Sequence, residues 1–236
     1  MNRPARKAAA LDTSPDTKTR ILDAAESLFV EHGFEATSLR QLTSAAGVNL
    51  AAVNYHFGSK EELFQSVLTR RLDPMNQERI DLLERLERES NGKAIGVEKI
   101  LSAMLIPALR LARDERRGGK DFLRLLGRAY ADPAPFIRHF LSQQYVEMIG
   151  RYKEAFLKSL PHLSRQELTW RLHFVMGALS YTLAGTDALK IIAELNPVET
   201  DNDEILLRRL APFLLAGLNA PLPELSDVSR ELDNAL

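Results

Sequence analysis

Asn54 and Tyr55, with Arg40, His56 and Lys60 nearby in sequence, are the side chains best suited to grip a polyanion and read what it carries. An Asn amide can bond an adenine edge as donor and acceptor together, while Arg and Lys supply cations for phosphate. Leu50, Ala51 and Ala52 lie just before Asn54 and offer the apolar contact that a thymine methyl accepts. The surroundings agree. From Ala36 to Lys60 there is no Asp or Glu, although acids are common elsewhere, and Ser, Thr and Asn recur. Such a stretch suits phosphate oxygens and base edges better than catalysis.

Those residues must be held by helices, and residues 38–60 encode three. Ser38 and Gln41 form a capping box opening a first short helix, with Leu39, Leu42 and Ala46 inward. Gly47 stops it and Val48 plugs the turn. Asn49 caps a second helix to about His56, burying Val53 and Phe57 at i, i+4 spacing. Gly58 stops that one, and Ser59 with Glu62 opens the third. Helices this short are unstable alone, so the second is read as presented to a partner. A helix-turn-helix over 38–57 would place it in the major groove, with the first helix across the backbone. The expected DNA contacts are Thr17, Lys18, Ser38, Arg40, Asn49, Leu50, Ala51, Ala52, Asn54, Tyr55, His56 and Lys60. The alternative is an ordinary helical hairpin with a solvated face.

The run TRILDAAESLFVEHGFEATSLRQLTSAAGVNLAAVNYHFGSKEELFQSV, Thr19 to Val67, resembles the TetR family of bacterial transcriptional regulators. The resemblance implies an all-α homodimer with an N-terminal three-helix DNA-binding domain and a larger C-terminal helical domain for ligand binding and dimerisation. One departure is Asn54, where the family usually has the Tyr that contacts phosphate; here Tyr55 follows it.

The expected organisation is a basic arm over 1–13, a DNA-binding domain over 14–75, a helical body over 76–220 and a tail over 221–236. The first strong helix should start at Ser14 as N-cap with Pro15 at the first position and run to His32, with Gly33 as stop. Pro74 should end or kink the helix that follows Lys60. Net charge over the 236 residues is −1, and the first sixty hold seven Lys/Arg against six Asp/Glu. Binding to DNA must then rest on where charge sits. The chain has no Cys, which excludes disulfides and thiolate chemistry. No signal peptide or membrane-spanning run is present, so the expected location is the cytoplasm. The five His are scattered, and no phosphate loop, nucleophile elbow or zinc motif occurs, so neither an enzyme, a metal nor a cofactor is expected.

In the body, the spacing predicts helices over 97–113, 121–131, 136–160 and 164–192, and a last one carrying Ile205 to Leu218. The helix from Ser164 is apolar on two faces, so it should be buried on two sides. Phe122, Leu126 and Tyr130, with Trp170, Arg171, His173, Phe174 and Met176, are expected to line an effector pocket, with Arg171 or Arg124 meeting a polar head group. Gly177, Tyr181, Phe213 and Gly217 are expected at the dimer interface. FLRLLGRAYADP (Phe122–Pro133) and WRLHFVMGALSYTLAG (Trp170–Gly185) resemble the fatty-acid-responsive PsrA-like branch of the family, which implies a fatty acid or acyl thioester as effector. The competing reading is a constitutive DNA-binding protein whose body is packed solid and only dimerises.

Overall fold

The computed structural model describes residues 16–131, 134–183 and 203–222, and among them every regular element is helical. The arm over 1–13, the Ser14–Pro15 cap, residues 184–202 and most of the tail lie outside the described residues. The elements are α1 (Thr17–Ala36), α2 (Leu39–Ala46), α3 (Leu50–Phe57), α4 (Lys60–Glu89), α5 (Val97–Arg113), a 3-10 turn (Glu115–Arg117), α6 (Gly119–Ala131), α7 (Pro135–Gln144), α8 (Val146–Ser159), α9 (Arg165–Leu183) and α10 (Asp203–Asn219). The chain divides into two compact units between Val67 and Leu68, inside α4, eight residues before the expected boundary.

In the N-terminal unit, α1 is capped by Asp16, not Ser14, through a 2.7 Å bond from the Thr19 amide to Oδ1. That bond, with the Thr19 hydroxyl next, holds the Asp16 carboxyl below its ordinary range. Gly33 ends the regular helix as expected, at φ 79°, and one further turn carries Phe34 back onto the core. Phe29, Phe34 and Phe64 then form an aromatic cluster with centroids 5.0–6.0 Å apart. Ile21, Ala25, Leu42, Val53, Leu63 and Val67 complete that core, none of them more than 1% exposed.

A polar knot locks the end of α1 to the start of α4. Thr37, fully buried, donates its hydroxyl to the carbonyls of Gly33 (2.7 Å) and Leu28 (3.2 Å). The Lys60 ammonium donates to the carbonyls of Phe34 (2.9 Å) and Thr37 (3.0 Å) and sits 4.2 Å from the centroid of the Phe34 ring. Gly33 interrupts the helical geometry of α1 here, and the Phe34 carbonyl also accepts from the Thr37 amide at 3.3 Å.

In the C-terminal unit, α4 continues through Pro74 without ending there. A proline costs a helix one hydrogen bond, and here Leu72, Met75 and Asn76, all buried, anchor the helix on both sides of it. The helix expected over 136–160 is broken at Tyr145 (φ −117°, ψ 15°) into α7 and α8. The Tyr145 hydroxyl donates to Asp73 Oδ1 at 3.1 Å, which ties the break to α4. The core joins Leu83, Ile100, Leu101, Phe156, Leu168, Val175, Leu214 and Leu218 from five helices.

Lys60→Met keeps the aliphatic stem and removes the ammonium, so we expect a loss of about 2 kcal/mol in urea denaturation, the usual scale for a hydrogen bond to a charged group. Arg40→Ala, on the exposed surface, should stay within about 0.5 kcal/mol of the parent. Equal stability of the two variants would contradict the role given to Lys60.

Candidate nucleic-acid interface

The two short helices are built as their caps dictate. Ser38 Oγ accepts from the Gln41 amide at 3.3 Å while Gln41 Oε1 accepts from the Ser38 amide at 2.8 Å, so both halves of the capping box are made. Gly47 adopts φ 62°, ψ 40°, the left-handed conformation that costs glycine least. Its amide and that of Val48 close onto the carbonyls of Ser44 and Thr43. Asn49 Oδ1 accepts from the Ala52 amide at 2.9 Å and starts α3. Gly58 at φ 77° ends it.

With Val53 and Phe57 turned into the core, α3 exposes Leu50, Ala51, Asn54 and Tyr55, and the Tyr55 ring is 86% exposed. His56 is half-buried beside Tyr55, with ring centroids 5.1 Å apart. Asp16 feels the His56 charge, which places the N-terminus of α1, with Thr17 and the exposed Lys18, near the end of α3. Arg40 is exposed on α2. The structure therefore brings Thr17, Lys18, Arg40, Asn49, Leu50, Ala51, Ala52, Asn54, Tyr55 and His56 into one unit, on or beside the two short helices.

Two expected contacts have other work. The Lys60 ammonium is spent on the Phe34 and Thr37 carbonyls. Ser38 Oγ donates to Gln41 Oε1 at 2.6 Å, so its hydroxyl is committed to the capping box.

Of the eight body residues expected to share a pocket, three do. A cavity of about 330 Å³ lies among α4, α5, α6, α7, α8 and α9. Leu126, Tyr130 and Met176 line it, together with Leu105, Met148, Tyr152, Phe156 and Leu179. Phe122 is fully buried in the core and does not line the cavity. Trp170 (55% exposed), His173 and Phe174 (64% exposed) stand on the outer surface as a strip of stacked and edge-on rings. Arg171 is buried but faces α10: it bonds Glu167 Oε1 at 2.8 Å and the carbonyls of Leu218 (2.9 Å), Ala220 (2.6 Å) and Pro221 (3.0 Å). It caps the C-terminal carbonyls of α10, where a cation is favoured. Arg124 pairs with Asp121 at 3.0 Å.

The cavity's polar wall comes from residues that sequence reasoning passed over. Asn76 and Arg79 stand on the strongly charged stretch of α4 that follows Pro74. Arg79 Nη1 donates to Asn76 Oδ1 (2.8 Å) and Nε to the Met104 carbonyl (2.9 Å). Tyr152 donates to the Arg79 carbonyl at 2.8 Å. Burial pushes the Tyr130 hydroxyl up, with the charge and hydrogen bond of Arg79 opposing it. Burial also raises Tyr145 and Tyr152, so both hydroxyls stay protonated. The available signal was the i, i+3 spacing of Asn76 and Arg79 beside the apolar Leu72, Met75 and Leu83.

A capped helix-turn-helix with a solvent-facing, acid-free second helix, joined to a helical body, defines a DNA-binding regulator. The family model described as "Bacterial regulatory proteins, tetR family" matches residues 21–67. The model described as "Tetracyclin repressor-like, C-terminal domain" matches residues 102–217. Together the two cover more than half of the chain, which belongs to the TetR family of bacterial transcriptional regulators. The HTH-type transcriptional regulator SrpR of Pseudomonas putida is 42% identical over 71 residues, 30% of this chain and 32% of that protein. The chain spans about a third to a half of the length of such curated relatives. The fold is shared with the fatty acid degradation regulator FadR of Bacillus halodurans (TM-score 0.56, 16% identity, 88% of this chain and 99% of that one). It is shared too with SmeT in its triclosan complex (TM-score 0.54, 21% identity, 89% and 100%). Among the described residues no helix is long and apolar enough to cross a membrane.

Asn54→Ala should flatten the preference for one base pair of the DNA site by about 1–3 kcal/mol. Arg40→Ala should weaken binding about equally on all sequences and lower the log-salt slope by about 1. Binding titrations on single-base variants over a salt series read both effects. Unchanged relative affinities, or an unchanged slope, would remove the residue concerned from the interface.

Proposed function

We propose that this chain is a repressor that binds a two-fold DNA operator as a homodimer and releases it when a small hydrophobic effector fills the body cavity. The observation that carries the reading is the exposed face of α3, where Asn54 and Tyr55 stand clear of the core with no acid between Ala36 and Lys60. A B-DNA major groove is about 12 Å wide and admits one α-helix. In this reading Asn54 bonds a base edge, Leu50, Ala51 and Ala52 meet thymine methyls, and Tyr55 touches backbone or base. Thr17, Lys18, Arg40 and His56 meet phosphates.

Support for the homodimer comes from α9 and α10. Trp170, Phe174 and Tyr181 on α9, and Phe213 on α10 (69% exposed), are large apolar groups in water. Gly177 and Gly217 lie in the same two helices, and a Cβ at either would meet nothing within 4 Å. Exposed apolar patches of this kind mark protein contacts, and the glycines leave room for a partner backbone.

The cavity favours an effector-responsive body over a solid one that only dimerises. About 330 Å³ is the liquid volume of roughly eleven waters, so an effector of about a dozen heavy atoms fits without widening it. The triclosan bound by SmeT and the fatty-acid role of FadR, with the PsrA-like resemblance, support a fatty acid, an acyl thioester or a comparably apolar molecule. The effector must bind more tightly to a state that does not fit the operator.

Gly217→Asp should give monomers in sedimentation and lose operator binding; an intact dimer would contradict this placement of the interface. Trp170 stands on the proposed interface and outside the cavity lining. Its emission should therefore follow protein dilution through the monomer–dimer range. Emission that ignores dilution and shifts with effector would reverse that assignment.

A further inference from the structure

Within that reading of the cavity as the effector site, we propose that Arg79 is the anchor for an anionic head group, so that the effector is an amphipathic carboxylate and not a neutral apolar molecule. Arg79, only partly exposed, lines a mostly apolar cavity whose polar groups are Asn76, Arg138, Ser142 and the hydroxyls of Tyr130, Tyr145 and Tyr152. Its guanidinium meets the Met104 carbonyl, the Asn76 side-chain oxygen and Tyr130, all of them neutral. Among the described residues no carboxylate pairs with it. Other arginines of this unit do pair with carboxylates: Arg88 with Glu84, Arg110 with Glu78, Arg124 with Asp121, Arg151 with Glu84 and Glu87, Arg165 with Glu154 and Arg171 with Glu167.

A guanidinium cannot shed its proton at working pH, and a half-buried charge without a counter-charge is costly. Its planar fork matches a carboxylate with two parallel bonds. Asn76, 7% exposed, holds one arm of the fork and sets its direction. Tyr130, kept protonated by burial, adds a hydroxyl that can donate to the same anion. The apolar wall of Leu105, Met148, Phe156, Val175 and Leu179 receives the chain. Arg79 belongs to α4 and Met104 to α5, so an anion that takes the fork also competes with the bond joining these two helices.

Calorimetric titration of the full-length protein with decanoate, decanol and decylamine tests this. The three share a chain and differ in head-group charge. Decanoate should bind about ten- to a hundredfold more tightly than decanol, and decylamine least. R79Q should erase the gap between decanoate and decanol by weakening decanoate alone. Should R79Q not fold, R79K serves: it keeps the charge without the fork, and the gap should shrink. Equal binding of decanoate and decanol by the parent protein would overturn the anchor and leave the effector cavity standing. A gap that survives both substitutions would also overturn it, placing the anion elsewhere on the cavity wall. Binding of none of the three would remove the cavity as an effector site for such chains, and the anchor with it.

Discussion

The reading helix can be as short as it is because something else fixes its position, and that something is the knot around Lys60. Near the end of α1 the helix is interrupted at Gly33, and carbonyls there are bridged by side-chain donors. Thr37 donates to two and Lys60 donates to two more, with the Phe34 ring beneath the ammonium. An unpartnered buried carbonyl costs on the order of 1–3 kcal/mol, so this one cation holds the corner that Phe29, Phe34 and Phe64 pack against. α3 contributes only Val53 and Phe57 to the core. Two side chains can seat a helix of two turns only against a surface that does not move.

The body uses arginine in two opposed ways. Arg171 is surrounded by the ending carbonyls of α10 and balanced by Glu167, so its charge is fully used within the fold. Arg79 has only neutral partners and faces a cavity, so its charge is left for a guest. Both are arginines on helices with an apolar residue directly after them, and only the packing separates structural cation from binding cation.

Local features were legible in the sequence. The caps at Ser38 and Asn49, the left-handed Gly47 and the capping pair Ser59 and Glu62 all act within four residues, so spacing alone reveals them. The class of fold and the exposed face of α3 follow from the same short-range pattern. Distant partners were not legible. Lys60 meets carbonyls 23 and 26 residues away, and Arg171 meets carbonyls 46 to 50 residues away. The two apolar faces of α9 were visible, but not which one turns inward: Leu168, Val175 and Leu179 do, and Trp170, Phe174 and Tyr181 do not. The break at Tyr145 carries neither Gly nor Pro and depends on a bond to Asp73, 72 residues earlier.

The central claim is that two copies of α3, related by a two-fold axis, read DNA in adjacent major grooves. Selection from a random double-stranded DNA library by the full-length protein tests it most directly. The account requires an enriched inverted repeat whose half-site centres lie about 34–36 Å apart along the helix, or a multiple of that spacing. Enrichment of a single asymmetric site, or no enrichment above the starting pool, would contradict it.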